Sequence, residues 1–151
     1  MICMAGLVFA CATPSDYKPQ AMDAFLIDDT DQTTDATDAD SSMVLVERVD
    51  GKAVTVEDRL RIIGVGAGER GVLALKLSEG THSLHVKICE TGLWVYCSKA
   101  YLKLEAKRGH YYRLNAKMSK RNKYADVWVV DLKSGDIVIK PIRVRGFTRH
   151  G

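Results

Sequence analysis

At 151 residues and 46% hydrophobic composition, the chain has room for one domain and a tail, so a single core is expected. Twelve glycines against three prolines, with Val, Ile, Tyr and Thr recurring in short segments, favour sheet over helix. The net charge of +3 hides a division: residues 12–43 carry eight aspartates and one lysine, hence −7, which leaves +10 on residues 44–151. Such a basic domain either attracts polyanions or simply stays soluble by its surplus.

Residues 1–10 are uncharged and mostly apolar. They are too few to cross a bilayer, which takes about 20. Val8-Phe9-Ala10-Cys11 resembles the lipobox of bacterial lipoproteins. That resemblance implies cleavage before Cys11 and acylation of its thiol, and several acyl chains anchor firmly where one binds marginally. With Ala12 next, it also implies sorting to the outer membrane, facing the periplasm or the surface. The alternative is an apolar terminus of a cytoplasmic protein.

Residues 11–43 contain DDTDQTTDATDADSS and have almost no large apolar side chain after Ile27. They read as a disordered acidic tether, because so little burial cannot offset the entropy of ordering. The run Phe25-Leu26-Ile27 is the exception, read as incidental to the tether.

From Val44 the pattern changes to short apolar segments separated by turn residues, which predicts an all-β domain over 44–151. Val44–Val49, the hairpin dipeptide Asp50-Gly51 and Ala53–Val56 form the first unit. Arg61–Val65 precedes a glycine-rich loop, and Val72–Leu77 alternates up to the turn at Glu79-Gly80. The next strand turns Leu84, Val86 and Ile88 inward. Ala100, Leu102, Leu104 and Ala106 share one face, as do Tyr112, Leu114, Ala116 and Met118. A three-residue loop with Gly109 left-handed would set Leu104 against Leu114 in a hairpin. Ala125–Leu132, the turn Ser134-Gly135 and Ile137–Ile139 complete seven to nine strands, enough for a two-layer antiparallel sandwich.

LKLSEGTHSLHV (75–86) followed by LEAKRGHYYRL (104–114) resembles PEGA-type envelope lipoprotein domains. The resemblance implies an immunoglobulin-like or transthyretin-like sandwich serving as a non-catalytic surface or periplasmic module. Ser78-Glu79-Gly80-Thr81 departs from the tetrapeptide that names the family.

Of four cysteines, Cys3 falls in the signal segment and Cys11 at the lipobox, leaving Cys89 and Cys97. Pairing them sets Leu84 opposite Leu102 and Val86 opposite Ala100, so the apolar faces stay together. It also sets Lys87 opposite Lys99. A disulfide on the outer face fits this register; buried free thiols and a zinc site are the alternatives, the latter disfavoured because His82 and His85 fall on opposite strand faces.

Gly64-Val65-Gly66-Ala67-Gly68 precedes a strand rather than a helix and lacks a following Gly-Lys-Ser/Thr, so it reads as a hairpin loop and not a phosphate loop. His82, His85, His110 and His150 have no acid or nucleophile at a recognised spacing. Asp126 and Asp131 read as strand ends rather than a carboxylate pair. No catalysis, cofactor or metal is expected. Trp94 and Tyr96, in the loop closed by Cys89 and Cys97, suit either partner anchors or a cap on the open end of the sandwich. Arg143, Arg145 and Phe147 extend the partner-binding set. Lys117, Lys120, Arg121 and Lys123 form a candidate polyanion site. Two functions follow: an accessory module that binds an envelope protein, or a module that grips lipopolysaccharide, cell-wall polymer or, less in keeping with the fold, nucleic acid. Salt sensitivity separates them.

Overall fold

The computed structural model describes residues 16–20, 22–29, 42–63, 71–90, 94–119 and 123–149. Cys11, Lys120, Arg121, His150 and the glycine-rich run 64–68 lie outside these, as does 30–41 of the expected tether. The described residues form twelve strands: β1 (Asp16–Tyr17), β2 (Ala24–Ile27), β3 (Ser42–Val49), β4 (Lys52–Ala53), β5 (Arg59–Ile62), β6 (Val72–Leu77), β7 (Gly80–Glu90), β8 (Tyr96–Ala106), β9 (Tyr111–Ser119), β10 (Tyr124–Asp131), β11 (Ile137–Val144) and β12 (Thr148–Arg149). They make a seven-stranded sheet, β1-β5-β6-β2-β9-β10-β11, and a five-stranded sheet, β12-β8-β7-β3-β4.

The alternation read from the sequence places the core. Val44, Val46, Leu84, Val86, Ile88, Leu102 and Leu104 point in from the five-stranded sheet, to meet Leu26, Leu75, Leu114, Val127 and Val129 from the other. Each buried side chain of this size contributes about 1.5–3 kcal/mol. The register of β7 with β8 is the expected one, with Leu84 opposite Leu102, Val86 opposite Ala100 and Cys89 opposite Cys97. Those cysteines form a disulfide and, although on the outer face, are buried. Lys87 does oppose Lys99, and Glu47 sits 3.5 Å from the Lys99 ammonium to moderate the pair.

The tether reading is corrected for residues 16–20 and 22–29. Phe25-Leu26-Ile27 is no incidental patch: β2 lies between β6 and β9 at the centre of the larger sheet. Ala24 and Leu26 enter the main core, whereas Phe25 and Ile27 join Ile62, Val72 and Ala74 in a second cluster on the opposite face. A strand buried on both faces is continuously apolar and does not alternate, which is why the run carried no strand period. Tyr17 and Tyr111 cover the second cluster, with the Tyr111 ring stacked on Phe25 at 5.7 Å.

The missing strand explains a second correction. β8 and β9 do not form a hairpin; they belong to different sheets, and Leu104 and Leu114 enter the shared core from opposite layers. Gly109 is left-handed as expected, with φ 71°, but its turn carries the chain between layers. Gly109 N–H donates to the Asp23 carbonyl and Phe25 N–H to the His110 carbonyl, delivering β9 into parallel pairing with β2. Three boundaries also move. Asp50 and Gly51 make the two-residue turn with φ 51° and 82°, but β4 stops at Ala53 and Val56–Asp58 is a 3-10 turn. β5 begins at Arg59, and β11 continues through Pro141 to Val144.

Candidate functional site

The pairings sort the connections into two ends. One end carries the tight turns at Asp50-Gly51, Ser78-Glu79, 107–110 and 132–136. The other carries the connections between β2 and β3, β5 and β6, β7 and β8, and β9 and β10, together with the passage from β11 to β12.

Trp94, Tyr96, Arg143, Arg145, Lys117 and Lys123 all fall at this second end, so the described residues of the two sets proposed from the sequence lie at the same end of the sandwich. β12 lies along the start of β8, with Arg149 opposite Tyr96 and Thr148 opposite Cys97. The Arg149 guanidinium stands 3.5 Å over the half-exposed Trp94 ring. Nearby, Arg143 lies 3.7 Å and Arg145 5.6 Å from the centre of the Tyr124 ring. Such stacking holds a guanidinium in place while leaving its edge free to donate. Arg143 Nε donates to Asp126 at 3.2 Å, and that bond raises its already high pKa. Lys117 is exposed on β9, and Lys123 is exposed in the turn before Tyr124 with a left-handed φ of 51°.

Phe147, of the expected partner-binding set, sits differently from the others. It is half-buried against the core, and so it plugs the end of the sandwich where the chain crosses between sheets. Ser98 Oγ donates to the Arg145 carbonyl at 2.7 Å and fixes that crossing. Two residues outside the expected set join the surface: Tyr124 and Arg149. Arg149 stood in the basic C-terminal run, but its partner ring is far away in sequence. No spacing could connect them.

The tight-turn end brings acids to the histidines that had none in sequence. His82 is buried, with Nδ1 2.6 Å from Asp50 Oδ2 and Nε2 2.7 Å from the Ser78 carbonyl. Ser78 Oγ is 3.4 Å from Nε2, completing the elements of a Ser-His-Asp set. Both ring nitrogens face acceptors, however, and a base needs a lone pair aimed at the hydroxyl. The ring is a brace between two turns. Hydrogen bonds from Ser83 N–H and His82 hold the Asp50 carboxyl below its ordinary range.

His110 Nδ1 lies 2.6 Å from Asp131 Oδ2. Burial works to raise the Asp131 carboxyl, but hydrogen bonds from His110 and Lys133 outweigh it and the pKa falls. Asp23 behaves alike: burial is outweighed by Tyr17, Gln20 N–H and Lys76. A groove of about 570 Å³ near this end includes Asp50, Lys52, Asp58 and Lys76. Its carboxylates are already engaged, Asp50 with His82 and Asp58 with the Thr55 N–H at 2.7 Å.

A third acidic group closes a sheet edge. Asp28 Oδ2 accepts from Val46 N–H at 2.8 Å and Arg59 Nη2 at 2.9 Å, and Asp29 Oδ2 accepts from Val44 N–H at 2.9 Å. These aspartates thus satisfy the amides of Val44 and Val46, which have no strand partner on that side among the described residues. Burial raises the Asp29 carboxyl, against the pull of Val44 N–H and Arg113. No protein-family model matches the chain, nor does any curated protein or solved structure.

Proposed function

We propose that this is a non-enzymatic binding module of a bacterial cell envelope, anchored by lipid at Cys11, that docks an envelope protein through the arginine and aromatic end of its sandwich. The observation that carries the docking role is the stacking of Arg149 on Trp94 and of Arg143 and Arg145 near Tyr124. Arginine, tryptophan and tyrosine are the residues that dominate protein-protein hot spots, and here the arginines and Trp94 are exposed, with Tyr124 half-buried, yet held in place. The address comes from the lipobox-like Val8-Phe9-Ala10-Cys11. Because Asp16 already belongs to β1, a lipid on Cys11 would keep the domain close to the membrane.

Polyanion binding is the second reading, favoured by Lys117 and Lys123 beside the arginines. The deciding experiment is in-cell crosslinking from position 94 in the bacterial host, followed by recovery at low and moderate salt. A specific envelope protein retained at moderate salt supports docking. Recovery of polymer alone, lost as salt rises, supports the second reading. The anchor is tested separately by the intact mass of the membrane-fraction protein, expected to start at acylated Cys11. An unprocessed soluble chain would refute it.

A further inference from the structure

The two long borders of the five-stranded sheet are finished differently. On the β3 side, Asp28, Asp29 and β4 cover the border. On the β8 side, β12 covers Tyr96 and Cys97 and the crossing at Arg145 reaches Ser98. Beyond that, from Lys99 to Glu105, β8 pairs with β7 alone among the described residues.

The groups left open can be identified. Cys89 and Cys97 have Cα atoms 4.2 Å apart, the short spacing of a pair that exchanges no backbone hydrogen bonds. Cys97 therefore turns its N–H and C=O away from β7, towards Thr148. The register runs on without a shift, so Lys99, Tyr101, Lys103 and Glu105 present theirs outward in the same way. Unpaired edges of this length invite another strand.

We propose that the occupant is a second copy of this chain, with β8 pairing antiparallel to β8 about a two-fold axis at Leu102. The side chains select that register. Centred on Leu102, Lys99 faces Glu105 of the second copy, Tyr101 faces Lys103, and both relations repeat by symmetry. The two strands then exchange hydrogen bonds at those same four residues. On the inner face Leu102 meets its own copy and Ala100 meets Leu104, so the small and large core residues alternate across the join. Centring on Tyr101 instead sets Lys99 against Lys103. Centring on Lys103 sets that lysine against itself. Lysines on an edge ordinarily discourage pairing; here they disfavour the two neighbouring registers.

Two exposed features are accounted for. Tyr101 is 69% exposed, its ring held edge-on by His85 at 4.4 Å, beside the open backbone. β11, the border of the larger sheet on the same side, exposes Ile137, Val138 and Ile142. A copy joined at β8 stands beside this row and screens it from water.

Sedimentation velocity of the full disulfide-bonded chain, from about 1 to 200 μM, tests the proposal. The wild type is expected to form a dimer. Lys99→Glu and Glu105→Lys should each weaken it about ten-fold by setting like charges together on both sides of the axis. The double exchange should restore it. Both exchanged positions carry exposed side chains, and circular dichroism with a thiol assay confirms that each variant is folded. A wild type that stays monomeric throughout overturns the proposal. Dimerisation indifferent to the single exchanges, or a double exchange that stays weakened, does the same.

Discussion

The tight-turn end and the loop end of this sandwich are held together by different chemistry. At the first, His82 joins two turns through Asp50 and the Ser78 carbonyl, His110 joins Asp131, Arg108 pairs with Glu79, and Asp23 receives Gly109 N–H on its carbonyl. At the second, one covalent bond, Cys89–Cys97, closes the base of the loop that carries Trp94, and arginines lie on aromatic rings without being buried. One end is therefore committed to stability, and the other keeps its donors available. The difference also means that acid should act on the first end and reductant on the second.

The most drastic way to break this comparison is to remove what both ends share. Leu26 is fully buried in the strand that separates the two apolar clusters. Leu26→Ala should cost about 2–5 kcal/mol in urea unfolding. A cost under about 1 kcal/mol would mean that residues 24–27 dock only loosely and that the ends do not share one core.

Cys89→Ser with Cys97→Ser should cost about 2–3 kcal/mol, the contribution of a short loop closure. The added hydrogen exchange should be confined to the end of β7, the start of β8 and β12. Equal loosening of the turns at Asp50 and 107–110 would erase the distinction between the ends.

Acid sharpens it from the other side. Asp50, Asp23 and Asp131 have folded pKa values below the ordinary 3.8. Their contribution to stability is complete above that ordinary value and is lost as the pH falls through the lowered ones. Asp29 has the opposite sign: its raised pKa means that its ionised form works against the fold, so protonation relieves a cost. As the pH falls below 3.8, the Ser83 amide, which donates to Asp50, should lose exchange protection before the Val44 amide, which donates to Asp29. His82→Ala should reproduce the first effect at neutral pH, at a cost of about 1–2 kcal/mol.

How much of this was legible in the sequence follows from which signals are local. The β7–β8 register was readable because period-two alternation and two cysteines constrain the same pair of strands. β2 was not, because burial on both faces removes the alternation, and its aspartate-rich surroundings matched disorder. Asp28 and Asp29 look like solvated charge until Val44 and Val46 are seen to donate to them. Losing β2 then made β9 a hairpin partner for β8, an error of one strand that propagated to the topology. The loop-end residues were found by type, as exposed aromatics and arginines. Their convergence was hidden, since Trp94 and Arg149 meet only after the chain has crossed between sheets.

The smallest stability effect is the most informative about the loop end. Arg149 and Trp94 both stand exposed, and a surface cation over a ring contributes about 0.5–1 kcal/mol at most. Arg149→Ala should therefore leave unfolding almost unchanged, and Trp94→Ala likewise. If this stack is the docking anchor, each variant should nevertheless reduce partner recovery about ten-fold or more, and Arg149→Lys should rescue it poorly, because an ammonium cannot lie flat on the ring and donate from its edge. Unfolding of Trp94→Ala would instead make the ring a cap on the sandwich. Retained binding in both variants would move the docking surface to Tyr124, Arg143 and Arg145, where Arg143→Ala is the equivalent substitution.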